Sequence, residues 1–164
     1  GYQLNIFYLD SDPYVAAEMS CNSHVVKMIL ESAQMLCTAH RELQPEDDVP
    51  DVFYKSTHKN HPSTVWVRKN ISHYRWLYAH FCALSDEYTH RYGKTHLSDT
   101  KLRELLYFVP RNIKKTASFD QPPQCMPDEY KCDDSVTAYR NYYMGDKAYF
   151  AKWSKRDKPN WWNV

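Results

Sequence analysis

The chain has 164 residues, the length of one domain, and can bury a hydrophobic core without disulfide bonds or metal ions. The net charge of +1 hides an uneven distribution, because residues 1–51 carry nine acidic and two basic side chains and the remainder carries the positive excess. Such asymmetry suggests an anionic partner for the later part of the chain, or two parts whose charges complement each other in the fold.

Composition also excludes several classes of protein. No run of about 18 apolar residues is present, so no membrane span is expected, and there is no N-terminal signal pattern. The five cysteines are odd in number and form no CxxC motif, which is typical of reduced thiols in the cytoplasm. Three glycines are too few for a glycine-rich phosphate loop. We therefore predict a cytoplasmic protein without membrane attachment, dinucleotide-binding fold, P-loop or cofactor.

The first predicted elements are an apolar segment and two helices. Residues 2–9 are apolar and partly β-branched, which allows a short strand or an extended segment. Asp12 followed by Pro13 predicts the start of a first helix, because an acidic cap and a proline at the first helical position both favour one. A longer second helix is expected from about residue 22 to residue 41.

The later elements are helices separated by one long connection. Apolar residues recur at spacings of three and four between residues 74 and 88, which predicts an amphipathic helix that Gly93 would end. Another helix is expected to begin at Ser98. Several prolines make residues 110–134 an irregular connection, and a last helical region follows it. The prediction is a single, mainly α domain over residues 1–164, with five to six helices, and with or without one short N-terminal strand.

The second helix carries a polar stripe. Apolar residues cover most of its circumference, which indicates a central, buried helix. Five polar or charged side chains nevertheless fall on one narrow strip of its surface at about 100° per residue. They are His24, Lys27, Glu31, Gln34 and Thr38. Because buried polar groups need partners, the stripe predicts one wall of a ligand cleft, a solvent-facing edge, or an internal network such as a Lys27–Glu31 pair.

A second polar group lies in the turn before Pro62. It consists of His58, Lys59, Asn60 and His61. An ammonium, an amide and two imidazoles suit a phosphate group and proton transfer near neutral pH. The following segment adds Arg68 as a further cation and Trp66, for which core packing is the alternative to stacking on a base. An ordinary exposed polar turn is the other interpretation.

A zinc site is an alternative use of these histidines. Cys21, His24, His58 and His61 can hold one ion if the turn folds onto the start of the second helix. Without metal, proximity of His24 to His58 or His61 would give an acid–base pair. The prediction for this site is an acid–base pair with no resident metal.

Several segments resemble known proteins. The runs CNSHVVKMILESAQMLCTAH, THKNHPSTVWVR, MPDEY and YRNYYMGDKAYFAKW resemble, over most of the chain, a family of small uncharacterised proteins of tailed bacteriophages. The NHP turn, the EYTHRYGK helix end and the segment Tyr142-Tyr143-Met144-Gly145 are similar to the small all-α pyrimidine-dimer DNA glycosylases of phages. The first resemblance implies expression in a host cytoplasm. The second implies that an N-terminal amine is the nucleophile. The matching motifs identify no residue of this chain in that role.

These observations lead to a predicted enzyme that acts on a phosphate-bearing nucleotide, free or in nucleic acid, by phosphodiester or N-glycosidic cleavage. The predicted catalytic residues are His24, His58 and His61. The predicted ligand-binding residues are Lys27, Glu31, Gln34, Lys59, Asn60, Trp66 and Arg68. The alternative is a non-catalytic binder that sequesters a nucleotide or a nucleotide-derived signal in evasion of host defence. An interaction module built on the tyrosine-rich C-terminal face is a third interpretation, and a homo-oligomer is compatible with all of them.

Overall fold

The computed structural model describes residues 4–164, and these residues form helices joined by loops. The α-helices are α1 (Pro13–Met19), α2 (Asn22–Leu43), α3 (Pro62–Lys69), α4 (Ile71–Tyr92), α5 (Leu97–Leu106) and α6 (Ser135–Tyr142). Short 3₁₀ turns lie at Glu46–Asp48 and Asp128–Tyr130, and a π-helical turn spans Tyr143–Lys147. The predicted mainly α class and the number of helices are confirmed.

The two long helices, α2 and α4, pack against each other at the centre of the fold. Helix α1 packs on α4, and α3 contacts both α2 and α4, while α5 closes against α2. Fully buried aromatic rings from α4, α6 and the π-helical turn fill the core, among them Tyr74, Phe81, Tyr139 and Tyr143. No helix between residues 4 and 164 is both long and apolar enough to cross a membrane.

The helix ends explain how short segments keep their positions. Asp12 accepts a hydrogen bond from the Tyr14 N–H at 2.8 Å and caps α1 as predicted. Gly93 ends α4 in the left-handed region, with φ of 67°, where a side chain would be strained. Asn70 caps α4 by accepting from the His73 N–H at 3.0 Å. Residues 110–134 form the predicted irregular connection, which contains one 3₁₀ turn.

The predicted N-terminal strand is not formed in the described part of the chain, and residues 2 and 3 lie outside that part. Residues 4–9 are buried without regular secondary structure. The side chain of Asn5 accepts hydrogen bonds from the backbone N–H groups of Ile6 and Phe7 at 2.8 and 3.2 Å, so it replaces a strand partner. Phe7 then adopts a positive φ of 55°, which breaks an extended path. This segment brings Leu4 and Asn5 against the middle of α2.

Candidate active site

A cleft of about 600 Å³ opens beside the middle of α2. It is lined by Leu4, Val26, Lys27, Leu30, Glu31, Gln34, His58 and His96. Three residues of the polar stripe and one histidine of the turn before α3 therefore share a single cavity, which local sequence could not show. Its volume lies in the range of small-molecule and cofactor sites.

Glu31 is the most perturbed group in this cleft. Its side chain is 12% exposed, and Oε1 is buried without a hydrogen-bond partner among the residues that the structure describes. Burial raises its pKa to about 7, although the Lys27 ammonium and a backbone N–H bond from Asn5 favour the charged form. A carboxyl with this pKa exchanges a proton readily at neutral pH, as a general acid or base must.

The other residues of the stripe differ in their surroundings. Lys27 is 62% exposed at the rim, with its ammonium 3.7 Å from Oε2 of Glu31. Gln34 is half-buried in the cleft wall. Thr38 is buried, and its hydroxyl accepts a hydrogen bond from the Thr57 N–H at 3.2 Å. The stripe thus faces the cleft in its middle, and at its C-terminal end it is bonded to the loop between α2 and α3.

His24 does not reach the cleft, in contrast to its predicted catalytic position. Its Nδ1 lies 2.6 Å from the Tyr143 hydroxyl, and its ring stacks on Phe7 with centroids 4.1 Å apart. Burial lowers its pKa to about 3, with Lys147 and Lys27 adding to the effect, so the ring is neutral at physiological pH. Between the described residues no hydrogen bond or ring contact joins His24 to His58 or His61, and the C-terminal segment covers His24, so the acid–base pair stays a prediction.

The turn before α3 divides its histidines between two roles. His58 is exposed, has a positive φ of 49° and lines the cleft. His61 caps α3 instead, because its Nδ1 accepts from the Ser63 N–H at 3.1 Å. Burial lowers the pKa of His61, and nearby His58 adds to this. Lys59 and Asn60 lie exposed between them.

The two remaining predicted ligand residues lie on α3. Trp66 is 6% exposed, stacks on His73 with centroids 4.2 Å apart, and donates from Nε1 to the Asp120 carbonyl at 2.9 Å. Its ring belongs to the core packing and has no open face for a base. Arg68 is half-buried, and its Nη1 is buried without a hydrogen-bond partner among residues 4–164, as is Oγ1 of Thr64 one turn before it.

Sequence reasoning missed His96, which caps α5 at the edge of the cleft. Its Nδ1 accepts a hydrogen bond from the Ser98 N–H at 3.1 Å. Burial lowers the pKa of the ring, against the attraction of Asp99. The pattern of histidine two residues before serine also occurs at the other histidine cap, so this spacing is the signal that the sequence offered.

Two other cavities lack comparable chemistry. One of about 640 Å³ near the C-terminus is lined by charged residues, but its Arg156 is bonded to the buried Glu87 at 2.7 Å. Another of about 380 Å³ is lined largely by apolar side chains, and its His40 is bonded through both ring nitrogens, to Gln44 and Tyr74. Between residues 4 and 164, the one buried carboxyl oxygen without a partner belongs to Glu31 in the α2 cleft.

The alternative zinc site is not assembled in the described region. No group of three or more histidine, cysteine, aspartate or glutamate side chains among residues 4–164 could hold a metal ion. Cys21 is fully buried with its N–H directed to the Tyr143 hydroxyl at 3.3 Å, on the covered side of α2. Cys21 and His24 are thus held apart from the histidine turn.

Comparison with known proteins gives one match. A family model described as pyrimidine dimer DNA glycosylase matches residues 4–100, a segment that contains every residue lining the α2 cleft. No curated protein and no solved structure matches the chain.

Proposed function

Since the chain belongs to the family of pyrimidine dimer DNA glycosylases, we propose that it cleaves the N-glycosidic bond of a damaged pyrimidine in DNA, with Glu31 as the proton-transferring residue. The observation that carries this proposal is the Glu31 carboxyl at the wall of the cleft, which has a pKa of about 7 and one buried oxygen without a partner among residues 4–164. This proposal moves the acid–base role from the predicted histidines to Glu31, which was predicted to bind the ligand.

The chemistry of the bond suits such a group. Breaking an N-glycosidic bond leaves electron density on the departing base and positive charge on the sugar. A protonated carboxyl can donate its proton to the base as it leaves, and the resulting carboxylate then stabilises the cationic sugar. Since the pKa of Glu31 lies near 7, both forms are accessible at neutral pH. A nucleophile of the water or amine class forms the new bond at C1′ of the sugar and gives its proton to the Glu31 carboxylate, which restores the acid.

The surrounding residues supply binding groups. Lys27 at the rim suits a phosphate of the strand, because it is a mobile, exposed cation. Gln34 and His58 in the wall can form hydrogen bonds to the base or the sugar. The exposed Lys59 and Asn60 lie beside His58 and extend this surface along the strand. These roles remain proposals.

Arg68 adds a further binding group on α3. Its buried Nη1 has no hydrogen-bond partner among the described residues, which is costly without a ligand, and a guanidinium favours phosphate through paired hydrogen bonds. We therefore include Arg68 among the groups that bind the DNA backbone.

The test uses the purified full chain and a duplex oligonucleotide that contains one cyclobutane thymine dimer, with an undamaged duplex of the same sequence as the matched substrate. We expect alkali-labile strand breaks at the dimer in the damaged duplex alone. The Glu31→Gln variant is expected to lower turnover by about 10²- to 10⁴-fold, the usual contribution of general acid–base catalysis.

Two results would replace this function with another. Tight binding of the damaged duplex, with every glycosidic bond intact after denaturation, would establish the alternative of a non-catalytic binder. Strand breaks with every glycosidic bond intact would indicate phosphodiester cleavage instead.

A further inference from the structure

The cap of α5 fixes the proton on the His96 ring. Because Nδ1 accepts the Ser98 N–H at 3.1 Å, that nitrogen carries no proton. The positive end of the helix disfavours an imidazolium there, and burial also lowers the pKa of the ring. The ring is therefore neutral, with its hydrogen on Nε2.

The same contacts hold the ring in place. His96 packs edge-on against Tyr88, with centroids 5.5 Å apart and planes at 76°. None of the hydrogen bonds between described residues uses Nε2. Since His96 lines the cleft, its Nε2–H is the polar ring atom that it can offer to a ligand.

The rest of the cleft indicates what this donor would meet. Leu4, Val26 and Leu30 provide apolar wall, and Glu31 and Gln34 provide hydrogen-bonding groups. Among the described residues that line the cavity, the fixed positive charge comes from Lys27 at the rim. Apolar walls with neutral polar groups suit an uncharged, planar heterocycle better than a phosphate, as in enzymes that take a base out of the DNA stack.

We propose that His96 is a specificity-determining residue, whose Nε2–H donates a hydrogen bond to a carbonyl oxygen of a pyrimidine base seated in the α2 cleft. The proposal rests on the proposed function and names the base-recognition group of that site. A fixed N–H donor favours a base with a carbonyl oxygen at that place, because the oxygen can accept its hydrogen bond. It disfavours a base with an exocyclic amino group there, because that group is itself a donor. The cap of α5 thus serves the fold through Nδ1 and the substrate through Nε2.

The kinetic test compares two substitutions that both preserve the cap. His96→Ser keeps an oxygen acceptor for the helix, but its hydroxyl is too short to place a donor where Nε2–H lies, whereas His96→Asn keeps an acceptor and has an N–H donor on a longer side chain. With the thymine-dimer duplex, we expect His96→Ser to raise KM about threefold to tenfold, as for loss of one neutral hydrogen bond, with little change in kcat or Tm. His96→Asn is expected to recover at least half of that loss on a logarithmic scale. An unchanged KM in His96→Ser, or an Asn variant no better than the Ser variant, would overturn the assignment.

A spectroscopic test reports on the same atom without turnover. Protein labelled with ¹⁵N at histidine, in the Glu31→Gln background, is titrated with the thymine-dimer duplex. The free protein is expected to show His96 protonated at Nε2 and not at Nδ1, and the duplex is expected to shift the Nε2–H resonance. A proton on Nδ1, or an Nε2–H resonance unmoved in the complex, refutes the role of His96. If the wild-type protein cleaves no glycosidic bond of the dimer, the proposed function fails, while the titration still decides whether His96 contacts the base.

Discussion

Two ionisable residues of α2, His24 and Glu31, are both buried and both shifted toward their neutral forms, yet their surroundings differ. The pKa of His24 falls to about 3 and that of Glu31 rises to about 7, in each case because burial penalises the charged form. His24 has a hydrogen bond to Tyr143 at 2.6 Å, whereas Oε1 of Glu31 has no partner in the described structure. Burial alone therefore does not distinguish these two groups, and our proposal for Glu31 depends on its unpartnered atom beside a cleft.

The covering of α2 explains the difference. Three aromatic rings surround His24, from the N-terminal segment, the π-helical turn and the residues after it: Phe7, Tyr143 and Phe150. Two helical turns later this cover has ended, and Glu31 lines the cleft together with Leu4 and His58. One helix thus carries an enclosed imidazole at its start and, at its middle, the carboxyl that we propose to be reactive.

The largest expected effects come from replacing Glu31 and His24 separately and measuring turnover and stability. Compared with Glu31→Gln, which should remove turnover and keep the fold, His24→Ala is expected to lower the free energy of unfolding by about 2–4 kcal/mol, because it leaves a cavity and an unpaired Tyr143 hydroxyl. Activity per folded molecule should stay within about threefold of wild type. Denaturant unfolding and dimer cleavage, measured on the same samples, check both. Tyr143→Phe is the milder control, expected to cost about 1–2 kcal/mol.

A reversed pattern would contradict this division. Stable but inactive His24 variants, together with active Glu31→Gln, would return the chemistry to the histidine and make the carboxyl a structural group.

Local sequence predicted the parts of the fold that depend on short-range chemistry. The spacing of apolar residues predicted α4, Asp12 with Pro13 predicted the start of α1, and Gly93 predicted the end of α4. The polar stripe on α2 also drew attention to Glu31, because a charged residue on a buried helix needs a partner or a ligand. These features need only neighbouring residues to be interpreted.

The rest depended on contacts that are distant in sequence. Nothing near His24 indicates that Tyr143, 119 residues later, covers it. The helix of Ser98 was expected to start at that serine, because serine, aspartate and asparagine are the usual caps. Instead His96 supplies the acceptor, and His61 does the same for α3. His61, which was predicted to be catalytic, thus caps a helix, and His96, which was not predicted, lines the cleft.

The pH dependence of stability also distinguishes the two residues, because their contributions to stability change with pH in opposite directions. The pKa of Glu31 is raised from 4.5, so its stabilising contribution is complete below pH 4.5 and is lost as pH rises to about 7. The pKa of His24 is lowered from 6.5, so its contribution is complete above pH 6.5 and is lost as pH falls to about 3. Between pH 4.5 and 6.5 the two effects oppose each other in the wild-type protein.

Single variants should separate these effects. Relative to wild type, Glu31→Gln is expected to gain stability as pH rises from 4.5 to 7, by about 2–3 kcal/mol at most. His24→Asn, whose amide can still bond to Tyr143, is expected to gain relative stability as pH falls from 6.5 toward 3. Urea unfolding of each variant and of wild type across this range gives both difference curves. Flat curves would show that these side chains have ordinary pKa values in the folded protein.

The smallest expected effect concerns Lys27, which modulates Glu31 from the rim. Its ammonium lies 3.7 Å from the carboxyl and lowers the pKa of Glu31, but it is 62% exposed, so solvent and salt screen the pair. Lys27→Gln should raise the pKa of Glu31 further. If Glu31 acts as the proton donor, the basic limb of the pH–rate profile then moves to higher pH, while KM rises by no more than about threefold through the lost phosphate contact. High salt should move the wild-type limb in the same direction and leave that of Lys27→Gln in place. A shift of the acidic limb instead would mean that the ionised carboxylate is the active form, and would make Glu31 the base rather than the acid.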